Sequence, residues 1–191
     1  MQKKENFFQS PTLETDRLIL KPGLLEDYIK VYEYDMTKLR DINDEFKYVK
    51  QDPNYIEKYI YPSNRSNLFD WIVYLKDTQE PVGNIFAEMH SDIDNSNEIG
   101  YNIHPNYWGN EYVKEGTVAV LDYFFSLGYD KIYCGYDEGN IKSKRAMEKI
   151  GFKLDSIKEN AWEKDGVAII NYRSLMTKEM YNKLYGSKKV R

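Results

Sequence analysis

The stretch that decides the fold is Ile103-His104-Pro105-Asn106-Tyr107-Trp108-Gly109-Asn110-Glu111-Tyr112-Val113. It joins an alternating apolar strand, which ends at a proline, to a long amphipathic helix through an aromatic-glycine turn. A helix that begins directly after a strand presents unpaired backbone N–H groups at its first turn, where the helix dipole adds positive potential. The turn therefore predicts a binding site for an anion such as a phosphate.

Length and composition bound the kind of protein that this chain forms. Its 191 residues suit one domain with a sizeable core. We therefore predict a single domain over 1–191, with a loose leader at 1–10 and a loose tail at 178–191. No apolar run approaches the ~20 residues that span a bilayer, and the first residues lack the apolar core of a secretory signal. We expect a cytoplasmic protein with no membrane partner.

Charge and the supply of metal-binding residues exclude several classes of function. The net charge of −4 gives no support for nucleic-acid binding, so we predict no nucleic-acid partner. The single cysteine, Cys134, excludes an internal disulfide and a cysteine-rich zinc site. Two histidines without paired ligand spacing do not favour a metal centre, and we predict none. Because Cys134 lies in a predicted strand of the sheet core, we expect an inert buried thiol.

Hydrophobic periodicity predicts strands and helices on both sides of the turn. Before it we expect strand Arg17–Lys21, helix Leu25–Asp35, helical pieces over 37–61, strands Leu68–Lys76 and Pro81–His90 around the turn Asp77–Glu80, and a polar loop at Asp92–Asn97. Around and after it we expect strand Glu98–His104, a helix from Val113 that ends near Gly128, strand Lys131–Asp137, a helix from Asn140 to Ile150, and strands over 153–163 and 167–176 that meet at Asp165-Gly166. The fold class is therefore mixed α/β, a sheet with helices packed against it.

Two features of the predicted helices bear on how they pack. Ile150-Gly151-Phe152 fits a Schellman stop, in which Phe152 contacts Met147. Gly116, inside the helix that follows the turn, costs about 1 kcal/mol relative to alanine. We expect close packing of that helix onto the sheet as the reason for this glycine.

Three separated segments together resemble one known family. They are Leu13-Glu14-Thr15-Asp16-Arg17-Leu18-Ile19-Leu20, then Glu98-Ile99-Gly100-Tyr101 with Trp108-Gly109 and Glu115, and finally Asn140-Ile141-Lys142-Ser143 through Glu148-Lys149-Ile150-Gly151-Phe152. In this order and spacing they resemble the GNAT acyl-CoA-dependent N-acetyltransferases, in particular the branch that includes the ribosomal-protein N-terminal acetyltransferases. The resemblance covers about residues 12–176. It implies the GNAT fold: a mixed, mostly antiparallel central sheet, splayed at the two cofactor strands, with helices on both faces.

The resemblance also implies a reaction. The protein is expected to be an N-acetyltransferase that moves acetyl from its cosubstrate, acetyl-CoA, to a primary amine by direct attack in a ternary complex. The acceptor is a protein N-terminus, a peptide or a small amine. The assembly that the resemblance allows is a monomer or a homodimer.

The turn carries the family's pyrophosphate-binding pattern with two departures. The pattern is Gln or Arg, two residues, Gly, any residue, then Gly or Ala, and these places hold Asn106, Gly109 and Glu111. A carboxylate directed at phosphates repels them. We therefore predict that Glu111 turns its side chain to solvent or toward a cation, and away from the phosphates. The resemblance implies cofactor contacts at Asn102, Ile103, His104, Trp108, Gly109, Asn110, Glu111, Tyr112 and Val113, with backbone groups near Asn102 to His104 binding the pantetheine arm.

Asn140, Ser143 and Glu98 complete the predicted site. Local capping explains part of the pattern at Asn140 and Ser143. The resemblance implies that Asn140 also contacts the pantetheine arm, and that Ser143 lies near the thioester sulfur, where it donates a hydrogen bond or relays a proton. Glu98 is the candidate proton acceptor for the substrate ammonium, and a solvent-facing strand-end carboxylate is the alternative. Glu88 and His90 compete for the role of base, each more in keeping with a structural position.

The sequence leaves a second function open. A GNAT-fold module that binds CoA or a protein partner without turnover is favoured by the departures at Asn106 and Glu111. The side chain of His104 is expected to serve the turn before Pro105 rather than to act as a base. Packing among the early elements is the expected role of an aromatic group made of Tyr55, Tyr59, Tyr61, Trp71 and Tyr74.

Overall fold

The structure, a computed structural model, describes residues 10–33, 54–61, 68–89, 96–164 and 166–186. Its eight strands are β1 (Leu13–Glu14), β2 (Leu18–Lys21), β3 (Leu68–Leu75), β4 (Pro81–Met89), β5 (Ser96–Ile103), β6 (Lys131–Asp137), β7 (Lys153–Lys164) and β8 (Val167–Thr177). Its α-helices are α1 (Leu25–Tyr32), α2 (Tyr112–Ser126), α3 (Ile141–Ile150) and α4 (Lys178–Tyr185). Short helical turns at Ile56–Ile60 and Pro105–Tyr107 complete the described elements.

All eight strands form one sheet in the order β1-β2-β3-β4-β5-β6-β8-β7. Every neighbouring pair is antiparallel except β5 and β6, which run parallel. This parallel pairing covers only three residue pairs, from Ser96–Lys131 to Glu98–Tyr133. The two strands continue beyond that point without pairing, so the sheet opens between them. The predicted mixed, mostly antiparallel sheet that splays at these two strands is confirmed.

Helices cover both faces of the sheet, as predicted. On one face α2 buries Val120, Leu121 and Phe124 against a core that includes Trp71 and Ile85. The side chains of Met147 and Ile150 from α3 and Tyr181 from α4 join the same cluster. On the other face α1 packs through Tyr28, Val31 and Tyr32 on Ile72 and Tyr74. We call these the α2 face and the α1 face of the sheet.

Two glycines behave as their positions in the sequence predict. A Cβ on Gly116 would lie 2.7 Å from Cδ1 of Ile85, so any larger residue would force the buried Ile85 side chain or α2 to move. Gly151 ends α3 in the left-handed region with φ 108°. The N–H of Phe152 donates to the carbonyl of Met147 at 3.1 Å, which is the Schellman bond. Both predictions are confirmed.

The structure corrects both predicted loose ends where it describes them. Residues 178–185 are not a loose tail but helix α4, whose Tyr181 is buried and donates to Asp122. Thr177 caps this helix by accepting from the N–H of Met180, a signal that the sequence carries. At the other end Ser10 is buried, and its hydroxyl accepts from the N–H of Asp70. Residues 1–9 and 187–191 lie outside the described residues.

The strand borders also differ in detail. Asn97 belongs to β5 rather than to the predicted loop, because its pairing with Met89 continues the β4 ladder. His104 lies beyond β5 and begins the turn instead. The predicted strand end at His90, most of the polar loop, Asp165 and the helical pieces over 37–53 lie outside the described residues. Within the described ranges, no helix is long and apolar enough to cross a membrane.

Candidate active site

The opening between β5 and β6 begins at Glu98. This residue forms the last parallel pair with Tyr133, and its carboxylate reaches over β6. A Cβ on Gly135 would lie 3.2 Å from Glu98 Oε1 and 3.3 Å from Asn171 Oδ1. The missing side chain of Gly135 therefore makes room for the carboxylate at the closed end of the gap. Since paired residues share a face, Glu98 points to the α1 face, away from α2 and α3.

Backbone groups beyond Glu98 divide between the β4 ladder and the gap. The N–H of His104 donates to Val82 of β4 at 2.8 Å. Successive residues of a strand point their backbone groups to opposite sides, so Tyr101 and Ile103 direct theirs into the gap. The Ile103 carbonyl already accepts from the Trp108 indole at 2.7 Å. Of the backbone contacts predicted for Asn102 to His104, the structure thus directs only those of Ile103 into the gap.

His104 and Asn110 serve the turn rather than the cleft. Nδ1 of His104 accepts from the N–H of Asn106 at 3.2 Å, which caps the short turn after Pro105. The side-chain amide of Asn110 donates to the carbonyl of Tyr107 at 3.0 Å. The prediction that the His104 ring supports the turn is confirmed, and the prediction that its backbone N–H faces a ligand is wrong because that N–H belongs to the sheet.

The start of α2 has the backbone shape that the family pattern requires. Gly109 has φ 85°, and Glu111, the residue before the helix, has φ 62° in the left-handed region. Glycine adopts that region without strain, which explains why glycine or alanine is the expected residue at position 111. No side chain caps the helix there. The first N–H groups of α2 are therefore left for another acceptor.

The Glu111 carboxylate faces a cation across the mouth of the gap. Its Oε1 lies 3.3 Å from Nζ of Lys149, which belongs to the last turn of α3. Both side chains are exposed, Glu111 by 52% and Lys149 by 64%, so the pair is weak and salt-sensitive. One of the two expected orientations, toward a cation, is confirmed. Its position relative to a bound phosphate stays a prediction.

A second carboxylate, Glu115, fixes the turn from the outside. It accepts from the Thr15 hydroxyl at 2.5 Å and from the backbone N–H of Arg17 at 2.9 Å. Its second oxygen lies 2.6 Å from Nη2 of Arg17, whose guanidinium also donates to the carbonyl of Asn110 and stacks on Tyr112. Burial acts to raise the pKa of Glu115, but the bonds from Thr15 and Arg17 outweigh it and lower that pKa. Arg17 and Glu115, which carry the family resemblance, therefore tie β2 to the turn.

The start of α3 joins capping to a tyrosine of the cofactor strand. Oδ1 of Asn140 accepts from the N–H of Ser143 at 3.1 Å, which confirms the predicted cap. The Tyr101 hydroxyl donates to the Ser143 carbonyl and lies 3.1 Å from Ser143 Oγ. Burial raises the pKa of Tyr101, so its hydroxyl stays protonated and donates. Sequence reasoning missed Tyr101, although the strand alternation places it on the α3 side.

These elements enclose a cleft of about 470 Å³ on the α2 face of the gap. Nine of the predicted site residues line it, namely Asn102, Ile103, Trp108, Gly109, Glu111, Tyr112, Val113, Asn140 and Ser143. Four cations that sequence reasoning did not identify line it as well: Lys114, Lys142, Arg145 and Lys149. Lys142 packs its ammonium 4.1 Å from the centre of the Trp108 ring. The spacing of positions 142, 145 and 149 along one helix face is the signal that would have found three of them.

The cations of the cleft and the uncapped start of α2 fit a phosphorylated ligand. The side-chain N–H₂ of Asn102 is buried and has no hydrogen-bond partner among the described residues. Such a donor costs free energy unless a ligand satisfies it. Asn102 pairs with Asn84 across the β4–β5 ladder, so its side chain lies on the α1 face with Glu98, whereas the uncapped start of α2 and the four cations lie at the cleft on the α2 face.

Other predicted residues take structural positions. Cys134 is buried in the core as predicted, and burial raises the pKa of its thiol. Glu88 lies opposite Glu98 on β4, and His90 is outside the described residues. In the aromatic group, Trp71 and Tyr74 are buried and Tyr61 packs edge-on against Tyr28, which confirms packing for these three. The side chain of Tyr59 is outside the described residues.

The sequence model of one protein family, the acetyltransferase (GNAT) domain, matches residues 17–153 of this chain. The chain belongs to the GNAT family. As a GNAT member it is an acyl-CoA-dependent acetyltransferase with acetyl-CoA as cosubstrate, as predicted. The uncharacterized N-acetyltransferase YoaA of Bacillus subtilis (strain 168) is 27% identical to it over 152 residues, which cover 77% of this chain and 85% of YoaA.

Solved GNAT structures share the fold. RimL, a ribosomal L7/L12 alpha-N-protein acetyltransferase in complex with coenzyme A, superposes with a TM-score of 0.71 at 13% identity, covering 87% of this chain and 98% of RimL. The microcin C7 self-immunity acetyltransferase MccE, in complex with acetyl-CoA and AMP, gives 0.69 at 15% identity, covering 85% and 93%. These likenesses show the shared fold.

Proposed function

We propose that this protein transfers acetyl from acetyl-CoA to a primary amine in a ternary complex, without a covalent acetyl-enzyme. The observation that carries the proposal is the opened sheet, with Glu98 at its closed end and a cation-lined cleft of about 470 Å³ at its mouth. The α2 face presents the donors for the cosubstrate. The α1 face presents the carboxylate for the amine, so the two substrates meet through the gap.

Binding of CoA falls to three groups of residues. The free N–H groups at the start of α2 bind the pyrophosphate, with Gly109 allowing close approach. Lys142, Arg145 and Lys149 of α3 supply positive charge beside it. The backbone of Ile103 binds the amides of the pantetheine arm as an added strand would.

The chemical step needs a neutral amine as the nucleophile and a proton for the departing thiolate. Glu98 accepts a proton from the substrate ammonium, directly or through a water molecule. The amine nitrogen then forms its bond to the thioester carbon while the carbon–sulfur bond breaks. Ser143 gives its hydroxyl proton to the departing sulfur and takes up the proton that the attacking nitrogen releases, and the Tyr101 hydroxyl, 3.1 Å from Ser143 Oγ, holds that serine in position. Orientation within the gap supplies the rest of the acceleration.

The acceptor amine and the cytoplasmic location are further parts of the proposal. The branch resemblance favours a peptide-like amine over other primary amines. A single domain, working as a monomer or homodimer with no nucleic-acid partner, stays a prediction. The alternative function, a CoA- or partner-binding module without turnover, is favoured by the Glu111–Lys149 pair, which places a carboxylate beside the phosphate site.

Titration calorimetry with acetyl-CoA, followed by thiol release across a panel of amines, separates the two functions. We expect micromolar binding and release of free thiol with at least one amine. Binding without thiol release would favour the module, and no binding up to millimolar acetyl-CoA would refute both the enzyme and a CoA-binding module.

Matched lysine variants of α3 locate the binding. Lys142→Met removes a cleft cation and is expected to weaken acetyl-CoA about fivefold or more. Lys144→Met removes the neighbouring lysine, which pairs with Glu148 at 4.0 Å and does not line the cleft. Its affinity for acetyl-CoA is expected to match the wild type. Equal effects of the two variants would place the cosubstrate elsewhere.

A further inference from the structure

Arg173 of β8 carries a positive charge to which the proposed mechanism assigns no role. Its guanidinium stacks over the ring of Tyr133, with Cζ 3.7 Å from the ring centre. Both Nε and Nη2 are buried and have no hydrogen-bond partner among the described residues. In the same described part of the chain, no carboxylate lies within ion-pair distance of it.

An unpaired guanidinium in such a place is unusual. Arginine does not lose its charge at any ordinary pH, so it cannot escape desolvation by becoming neutral. Buried donors without partners lower stability, and proteins keep them where a ligand completes them. The planar fork of Arg173 matches the two oxygens of a carboxylate.

Arg173 lies close to the proposed proton acceptor, Glu98. It pairs with Gly135 across the β6–β8 ladder, and Gly135 is the residue over which the Glu98 carboxylate lies. Glu98, Tyr133, Gly135 and Arg173 share the α1 face, since paired residues of neighbouring strands point the same way. Glu98 therefore lies over Gly135 and Arg173 over Tyr133, two residues apart along β6, which is about 6.6 Å.

Polar side chains continue this face away from the gap. Asn171 donates to Asp137 at 2.8 Å, and the Trp162 indole donates to the other oxygen of Asp137 at 3.1 Å. These bonds satisfy Asp137 and hold Asn171 beside Gly135. Asp137, the carboxylate that β6 itself places on this face, is thus occupied by other donors, and the guanidinium of Arg173 is left for a ligand.

We propose that Arg173 is the specificity site for the acceptor, and that it selects amines that carry a carboxylate within a few bonds of the reacting nitrogen. The ammonium binds at Glu98 and the carboxylate at Arg173, so the acceptor spans the α1 side of the gap in one orientation. This inference rests on the proposed acetyl transfer. Two sources share the chemistry: the α-carboxylate of a free amino acid, and the side chain of an acidic first residue in a peptide.

Acceptor pairs that differ only in the carboxylate test the inference. One arm compares L-alanine with L-alaninamide, and the other compares amidated peptides that begin with Asp or with Asn. The measured quantity is the ratio of kcat/KM for carboxylate and amide, taken relative to the same ratio in Arg173→Met, because the amine pKa differs within each pair. We expect a ratio at least tenfold higher in the wild type in one arm, which identifies the source.

Two further variants separate a specific effect from a general one. Arg145→Met removes an arginine of the CoA cleft and is expected to weaken acetyl-CoA while leaving the carboxylate-to-amide ratio at the wild-type value. Arg173→Lys keeps a charge without the fork and is expected to retain part of the preference. Arg173→Met removes an unpaired cation, so its Tm is expected to stay at or above that of the wild type.

A binding measurement keeps the test independent of turnover. Calorimetry titrates N-acetylalanine, N-acetylalaninamide and the acetylated Asp peptide into CoA-saturated protein. Carboxylate-dependent binding that Arg173→Met abolishes supports the site even if no amine is acetylated, in which case the proposed function alone fails. Transfer or binding with equal preference in wild type and Arg173→Met overturns the inference and leaves the proposed function standing.

Discussion

The two helices that open on the cleft begin in opposite ways. At α3 the side chain of Asn140 caps the helix by accepting from the N–H of Ser143. At α2 the corresponding position holds Glu111 in a left-handed conformation, and no side chain caps the helix. The uncapped end keeps its N–H groups for an anion, whereas the capped end is satisfied internally and offers side chains instead. Under the proposed function, the start of α2 binds the phosphate through its backbone, and the start of α3 presents Ser143 to the sulfur.

The same difference appears in what supports each end. The turn before α2 is held from outside by Glu115 and Arg17, while α3 is held by its own cap and by Tyr101. Changes at the outer support of α2 are therefore expected to affect stability most. Changes at the start of α3 are expected to affect the chemical step first, and to a smaller extent the stability that the Asn140 cap contributes.

The largest expected effect is that of Glu115→Gln. The carboxylate loses its charge-assisted bonds to Arg17, and we expect a loss of about 2 kcal/mol in the free energy of unfolding at pH 7. The fold lowers the pKa of Glu115 below its ordinary value of 4.5. The stability that it contributes is thus complete above pH 4.5 and lost as the pH falls through the folded pKa.

Urea unfolding at pH 7 and at pH 3 measures both effects. The variant is expected to show a flatter dependence of stability on pH than the wild type in the acid range. Glu14→Gln is the matched control, because Glu14 pairs with Lys76 while 62% exposed and is expected to cost less than about 0.5 kcal/mol. Equal losses in the two variants would contradict the supporting role of Glu115.

Tyr101→Phe is expected to have the next largest effect. It removes the hydroxyl that orients Ser143 without changing the size of the ring, so kcat for acetyl transfer falls about tenfold, or about 1.4 kcal/mol. The KM for acetyl-CoA is expected to change little. Tyr136→Phe serves as the control, because Tyr136 of β6 packs against the same core cluster as Tyr101 of β5. A higher KM for acetyl-CoA without a change in kcat would assign Tyr101 to binding instead.

Asn140→Ala tests the cap of α3. We expect a loss of about 1 kcal/mol in the free energy of unfolding, because the N–H of Ser143 loses its partner. Asn140→Asp keeps an accepting oxygen and is expected to retain most of that stability. If both variants unfold at the same urea concentration but only the alanine binds acetyl-CoA less tightly, then the side chain acts on the ligand rather than as a cap.

Glu111→Gly is expected to give the smallest change. Removing the carboxylate abolishes repulsion at the phosphate site, and the exposed pair with Lys149 is worth little, so we expect acetyl-CoA to bind twofold to fivefold more tightly. Glu111→Gln removes the charge and keeps a side chain in the left-handed region. Calorimetry on both variants separates charge repulsion from backbone strain. Tighter binding in Glu111→Gly but not in Glu111→Gln would point to backbone strain.

The fold followed from local patterns that tertiary packing did not override. The alternation of β5, the period of α2 and the Schellman stop at Gly151 each reflect one element and its neighbours, and they were predictable. The tail at 178–185 was missed because its helix depends on burying Tyr181 against α2, which only the assembled core provides.

The candidate site was predictable where sequence neighbours form it. Trp108 to Val113 and Asn140 to Ser143 came from single stretches of chain. Arg173 and Gly135 were not identified, because their relation to Glu98 exists only across three strands of the sheet. The backbone directions near His104 required the β4 register, which no periodicity reveals.

The short parallel seam between β5 and β6 has a mechanical consequence. Three residue pairs are all that join strands β1–β5 to strands β6, β8 and β7 within the sheet. Each half holds long antiparallel ladders of its own, so each is expected to behave as a separate unit in hydrogen exchange. A ligand that bridges the gap then adds contacts to both halves and stabilises them against opening. Slower exchange on both sides of the seam, far from any contact, is its expected signature.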